Sequence, residues 1–222
     1  MLSNRLQKCA DYVTQGSHIC DIGTDHALLP VYLVEQGIAA SAIAADIGEG
    51  PLQAAERTIA QHGLTGRIRT ILSDGLQHIP GDAVTDIIIA GMGGETMVHI
   101  LETAPFSLDG KRLILQPMTK AEILREWLYT HGFTIRQECC AREEQRLYAV
   151  LLAEYTGACY KIPLWALRIG TMDLTDPDCM AYAEHQLMQL TRRTEAQRRA
   201  GSPDEAAEEA AAALRERLEE YR

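Results

Sequence analysis

The chain has 222 residues, 46% of them hydrophobic, and a formal net charge of −10. That is enough chain for one well-buried domain with an appendage, and the apolar share excludes a disordered protein. The acidic balance excludes a blanket attraction to nucleic acid, although charge can still be segregated locally.

The longest apolar runs, at 87–90 and 149–153, are far too short to span a bilayer. Residues 1–6 lack the apolar core of a signal peptide, so a cytoplasmic protein with no membrane segment is expected. Six cysteines show no Cys-x-x-Cys spacing and no histidine pairing, which reads as reduced thiols and no metal site.

In chain order, Ser3 can cap a first helix that carries Leu6, Cys9, Ala10 and Val13 on one face and ends at Gly16. Arg5 and Lys8 fall on its other side. A strand over 18–22 delivers Asp21, the chain breaks at Gly23, and a helix restarts over 27–35 with Pro30 in its first turn. A second strand over 42–46 ends on Asp46, and Pro51 opens a helix running to residue 61. A third strand over 67–72 runs into Ser73-Asp74-Gly75. The most hydrophobic strand, 85–90, leads into Gly91-Met92-Gly93-Gly94. A helix over 96–102, a strand over 112–116 and a helix over 121–131 complete the alternation.

Beyond Gly132 the pattern changes to two strands, 133–140 and 146–154, joined by a charged turn, which reads as an antiparallel hairpin. Residues 161–175 read as an irregular connector. A long helix from Asp176 to Gly201 and a second after the capping box Ser202–Glu205 repeat apolar residues by three and four, the pattern of a coiled-coil hairpin. The expectation is an α/β fold: a Rossmann-like class I methyltransferase sheet, mostly parallel with an antiparallel last strand, over 1–156. A C-terminal α-helical coiled-coil hairpin follows over 157–222.

The chemistry collects at strand ends. A dinucleotide fingerprint needs glycine at three places in the first turn, but after Gly23 this chain has Asp25 and Leu28. A carboxylate there repels a pyrophosphate and suits the sulfonium and ammonium of S-adenosylmethionine (SAM). Asp46 sits where nucleoside sites place the acid that accepts ribose hydroxyls, and Asp74 ends the next strand, within reach of an adenine edge. The glycines after the fourth strand permit close approach to donor and acceptor. Each aspartate alone reads as a cap or turn residue, and His26 alone as a structural histidine. Three consecutive strand-end acids read as a site.

Several stretches together resemble the bacterial tRNA (adenine(22)-N1)-methyltransferases. They are Ser3-x-Arg5-Leu6, Asp21-Ile-Gly-Thr-Asp-His-Ala27, Ala44-Ala-Asp-Ile47, Ser73-Asp-Gly-Leu76, Ile89-Ala-Gly-Met-Gly-Gly94, Leu113-Ile-Leu-Gln-Pro117 and Leu124-Arg-Glu-Trp-Leu128. The resemblance covers roughly residues 2–154. It implies SAM as donor, S-adenosylhomocysteine as product and tRNA as substrate. It assigns Asp21, Gly23, Asp25 and His26 to the methionine part, Asp46 and Ile47 to the ribose, Asp74 and Gly75 to the adenine, and Gly91, Met92 and Gly93 to the methyl group.

Two positions depart from that family, which often has Asn where this chain has Met118 and usually Tyr-Glu where it has Tyr148-Ala149. Asp25, His26 and Gln116 are expected to shape the target pocket with no obligatory base, because adenine N1 already carries a lone pair. Arg5, with Arg192, Arg193, Arg198 and Arg199 of the tail, are candidate tRNA contacts. Truncation after Gly157 is then expected to lower tRNA affinity and spare SAM binding. A monomer is expected rather than an oligomer. Another methyl acceptor, and an RNA-binding protein without activity, stay open as alternatives.

Overall fold

The computed structural model describes residues 2–221. Seven strands form one sheet: β1 (Ser17–Ile22), β2 (Ala39–Asp46), β3 (Ile68–Leu72), β4 (Asp86–Gly93), β5 (Arg112–Thr119), β6 (Phe133–Glu143) and β7 (Arg146–Tyr155). Their order is β3-β2-β1-β4-β5-β7-β6. The first five run parallel, and β7 is antiparallel to both of its neighbours. Ile87, Ile88 and Ile89 of β4 and Leu113, Ile114 and Leu115 of β5 are fully buried, as strands covered on both faces require. The expected mostly parallel sheet with one reversed strand is therefore what forms.

Helices α1 (Asn4–Asp11), α2 (Leu28–Glu35), α3 (Glu49–Gln61), α4 (Gly94–Glu102) and α5 (Ala121–Thr130) cover the faces. One apolar layer joins α1, α2 and α3 to the sheet, and the other joins α4 and α5. Ser3 caps α1 as expected, its hydroxyl accepting from the Leu6 amide, but the helix stops well before Gly16. The Thr14 amide instead donates to the Asp86 carboxylate at 2.8 Å, drawing the chain toward β1. Helix α3 begins at Glu49, so Pro51 lies inside its first turn, where no amide is needed. Helix α4 begins at Gly94, directly off β4.

The connector beyond β7 is more ordered than its composition suggests. It contains α6 (Leu164–Ile169), entered through Pro163 and left at Gly170. Helices α7 (Pro177–Arg199) and α8 (Glu205–Glu219) then form the expected hairpin, with Ala183, Leu190, Ala207, Ala211, Leu214 and Leu218 buried between them and against α6. Asp176 caps α7 with two amide hydrogen bonds. The cap of α8 is Asp204, not Ser202: its carboxylate accepts from the Ala207 amide and also faces Arg193, while the Ser202 amide closes α7 by donating to Gln197.

The tail is joined to the sheet through buried charge. Arg125 of α5 is fully buried and donates to Glu138 of β6 at 2.8 and 2.5 Å, and to the Leu167 and Arg168 carbonyls at 2.7 and 3.1 Å. Burial alone would lower the pKa of the Arg125 guanidinium, but Glu138 against it holds it above its usual value. Leu167, Met172, Cys179 and Tyr182 join the apolar layer beneath α4 and α5. Truncation after Gly157 therefore strips part of the core and, from a buried arginine, two carbonyl partners and the Tyr182 hydroxyl, and cannot isolate a contribution to tRNA affinity. Among the described residues no helix is long and apolar enough to cross a membrane, and no cluster of three potential metal ligands occurs.

Candidate active site

In a parallel sheet, the carboxyl ends of neighbouring strands open a crevice where the strand order reverses. Here that point is β1, with β2 on one side and β4 on the other. Asp21, Asp46 and Asp74 stand at or just beyond the ends of β1, β2 and β3, three adjacent strands.

Asp21 is 6% exposed and accepts a hydrogen bond from the Thr24 hydroxyl at 2.8 Å. Burial pushes its carboxyl up to about 7, the Thr24 bond opposes this, and the charge on Asp46 adds to it. The turn that follows is tied to β2, because the Gly23 and Thr24 amides both donate to the Ala45 carbonyl. Gly23 has φ +73°, and a Cβ there would lie 2.3 Å from the Met92 methyl, so the thioether of Met92 packs directly on its backbone. Asp25 and Ala27 also have positive φ, 51° and 54°. Non-glycine residues in that region are uncommon, and here they fold the turn back over the strand ends.

The Asp25 amide donates to Asp46 Oδ2 at 3.4 Å, and Asp46 Oδ1 accepts from Gly48 at 2.9 Å. The Asp25 carboxylate and the His26 ring project outward, 3.6 Å apart and mostly exposed. Beside the acids stand two exposed apolar residues, Ile47 at 69% and Leu72 at 48%. Asp74 is exposed, while Ser73 before it is buried and ties the turn together, donating to the Gly75 carbonyl and accepting from the His78 amide.

On the β4 side, Gln116 of β5 is fully buried and fully engaged. Its Oε1 accepts from the Gly91 amide at 3.0 Å and from Arg5 Nη1 at 2.8 Å. Its Nε2 donates to the Pro117 carbonyl at 3.0 Å and to the Met118 sulfur at 3.7 Å. Arg5 thus reaches the site from α1. Its amide donates to Glu143 Oε1, and its Nε lies 3.7 Å from Glu143 Oε2. Burial alone would raise the Glu143 carboxyl, but hydrogen bonds from Ser3 and Arg5 and the Arg5 charge hold it below its usual value. Gly94 packs against backbone: a Cβ there would lie 2.2 Å from the Lys120 carbonyl oxygen.

The structure brings Asp21, Gly23, Asp25, His26, Asp46, Ile47, Asp74 and Gly75 to one side of the crevice, and Gly91, Met92, Gly93, Gln116 and Arg5 to the other. It does not bring the tail arginines there. Three of those are paired: Arg193 with Asp204, Arg198 with Glu208 and Arg199 with Glu195. Arg192 is exposed and has no ion-pair partner among the described residues. Sequence reasoning missed Glu143, the anchor of Arg5. Only its place in the charged hairpin turn could have drawn attention to it.

A mostly parallel sheet with a reversed strand and acids at adjacent strand ends defines a class I methyltransferase domain, and residues 2–151 match the family model described as a methyltransferase domain. The chain is 44% identical over 154 residues to the tRNA (adenine(22)-N(1))-methyltransferase of Bacillus subtilis (strain 168), a match that covers 69% of this chain and 65% of that relative. Among solved structures, it is 31% identical to the B. subtilis m1A22 tRNA methyltransferase TrmK, with a TM-score of 0.74 over 99% of this chain and 96% of that one. It is 26% identical to M. capricolum TrmK in complex with S-adenosylhomocysteine, with a TM-score of 0.84 and full coverage of both chains. The chain belongs to the tRNA (adenine(22)-N1)-methyltransferase family.

Proposed function

We propose that the protein transfers a methyl group from SAM to N1 of adenine 22 of tRNA, in the cytoplasm. The observation that carries this reading is the acidic corner at the ends of β1, β2 and β3 in a chain of that family. Asp21, Asp25, Asp46 and Asp74 offer negative charge and hydrogen-bond acceptors, which suit a cation and ribose hydroxyls and repel a pyrophosphate. Exposed Ile47 and Leu72 beside them offer apolar surface to a flat heterocycle.

The residues fit SAM. Asp21, Gly23, Asp25 and His26 would hold its methionine part, Asp46 and Ile47 its ribose, and Asp74 and Gly75 its adenine, with Gly91, Met92 and Gly93 flanking the methyl group. When bound, SAM supplies the electrophilic methyl and leaves as S-adenosylhomocysteine.

The chain's own task is placement. Adenine N1 carries a free lone pair at neutral pH, so no side chain must remove a proton first, and orientation can supply most of the rate. Gln116 acts as a positioning residue: with both ends of its amide engaged, it fixes the Gly91 backbone and the Arg5 guanidinium instead of touching the base. Asp25 and His26, exposed at the rim, face the space a flipped-out base would enter. The paired tail arginines enter as exchangeable cations. Exposed pairs contribute only about 0.2–1 kcal/mol each, so a tRNA phosphate can compete for them.

The test is methyl transfer from labelled SAM to unmodified tRNA, beside the same transcript with adenine 22 changed to guanine. Label in the first alone is expected. Label in both overturns the position, and label in neither overturns the substrate.

A further inference from the structure

Two cavities, of about 310 and 480 Å³, adjoin between the carboxyl end of β5, the β6–β7 turn and α7. Met118, Thr119, Leu147, Tyr148 and His185 line both, so they form one cleft. Cavities of roughly 300–1,000 Å³ are the size that holds small organic groups. The inner end of the cleft meets the reaction corner, because Gln116, which holds the Gly91 amide, also donates to the Met118 sulfur.

Its lining has a distinct chemistry. Met118 and Leu147 supply apolar wall. Gln186 and Gln189 of α7, with His185, supply side-chain amides and an imidazole along one rim. Arg146 stands at the opposite mouth, its guanidinium donating to the Tyr148 hydroxyl. Lys120 and Arg168 also face the cleft, paired with Glu95 and Glu122. Arg146 carries no ion pair among the described residues, although Glu144 lies near it. Each of these cations has a carboxylate paired with it or near it, so the cleft is close to neutral in a chain of net charge −10, and Arg146 is the cation without an ion pair among the described residues.

Apolar wall, amide rim and a cation at the mouth are what an unpaired nucleotide needs: a surface for the base face, donors and acceptors for its edge, and charge for its phosphate. We propose that this cleft seats the unpaired nucleotide adjacent to the methylated adenine, with its phosphate at Arg146 and its base edge against His185, Gln186 and Gln189. The proposal rests on the tRNA reading above. It also gives the tail a role distinct from its distal arginines, since α7 supplies one wall of the seat.

Arg146 and His185 are exposed, so Arg146→Ala and His185→Ala can be made in the full chain without opening the core. Arg146→Ala is expected to raise KM for tRNA about tenfold and to reduce the salt slope of kcat/KM by about one, as loss of one phosphate contact does. SAM affinity, measured by calorimetry, is expected to match the wild type, and Arg146→Lys to restore the salt slope. A tRNA made abasic beside adenine 22 should lose efficiency with the wild type and lose no more with His185→Ala. If the wild type methylates tRNA while both variants share its KM and salt slope, the nucleotide seat is overturned and the tRNA reading stands. A fall in SAM affinity with either variant also overturns the seat. If the wild type labels no tRNA, both readings fall together.

Discussion

Replacing Glu138 by alanine probes the joint between sheet and tail. The change removes the acceptor for three hydrogen bonds: Arg125 Nε at 2.8 Å, Arg125 Nη2 at 2.5 Å and the Thr171 amide at 2.9 Å. Arg125 stays fully buried, left with two carbonyls and the Tyr182 hydroxyl for its donors. Breaking a buried pair from one side strands an uncompensated charge and typically costs about 3–5 kcal/mol. That is a large share of a total stability of about 5–15 kcal/mol. At about 2–4 °C per kcal/mol for a chain of this size, Tm should fall by about 6–20 °C.

Urea unfolding followed by far-UV circular dichroism measures the loss directly. The double variant Arg125→Met/Glu138→Leu removes both charges and should be less destabilised than the two single changes added together. A Glu138→Ala variant within about 1 kcal/mol of the wild type, or a strictly additive double variant, would refute the argument that this pair holds the tail.

The remaining predictions concern the site. Asp21 takes up its proton more readily folded than unfolded, so stability present at about pH 4 is lost as pH rises through about 7, by at most about 4 kcal/mol at 1.36 kcal/mol per pKa unit. Asp21→Asn should therefore be more stable than the wild type at about pH 8 and no more stable at about pH 4, as thermal melts at the two pH values will show. Wild-type SAM affinity should rise over the same interval, whereas that of Asp21→Asn stays flat in calorimetric titrations. Gly94→Ala must push back the Lys120 carbonyl, which is backbone and cannot swing away. A loss of about 1–3 kcal/mol in urea unfolding is expected, with methyl transfer falling as the Gly91–Gly94 strip shifts. Ile47→Ser should leave stability within about 0.5 kcal/mol, because the side chain is exposed, yet weaken SAM binding by calorimetry; unchanged affinity would remove Ile47 from the site.

Much of the domain was legible in the chain itself. Hydrophobic period and glycine breaks located all seven strands, and a right-handed parallel alternation leaves few ways to order them. Acids at consecutive strand ends therefore had to share an edge, and the acidic side of the crevice followed from local pattern alone. The family resemblance was equally visible, since it resides in short contiguous motifs.

Tertiary structure decided what depends on partners distant in sequence. Arg5 reaches Gln116 across 111 positions and Glu143 across 138. No periodicity announces such contacts, because they arise only when α1 folds against the ends of β5 and β6. Gln116 read as a pocket residue from its motif, and the fold made it a buried bracket for the Gly91 amide. The tail read as a separate helical hairpin, since its apolar spacing satisfies itself. Its attachment through Arg125, Glu138 and α6 rests instead on buried charge, whose meaning depends on which carbonyls and carboxylates come to surround it. Sequence thus determined the acids and the sheet that carries them, through local periodicity. Packing determined how the rest of the chain closes around them, because burial and hydrogen-bond partnership belong to the folded whole.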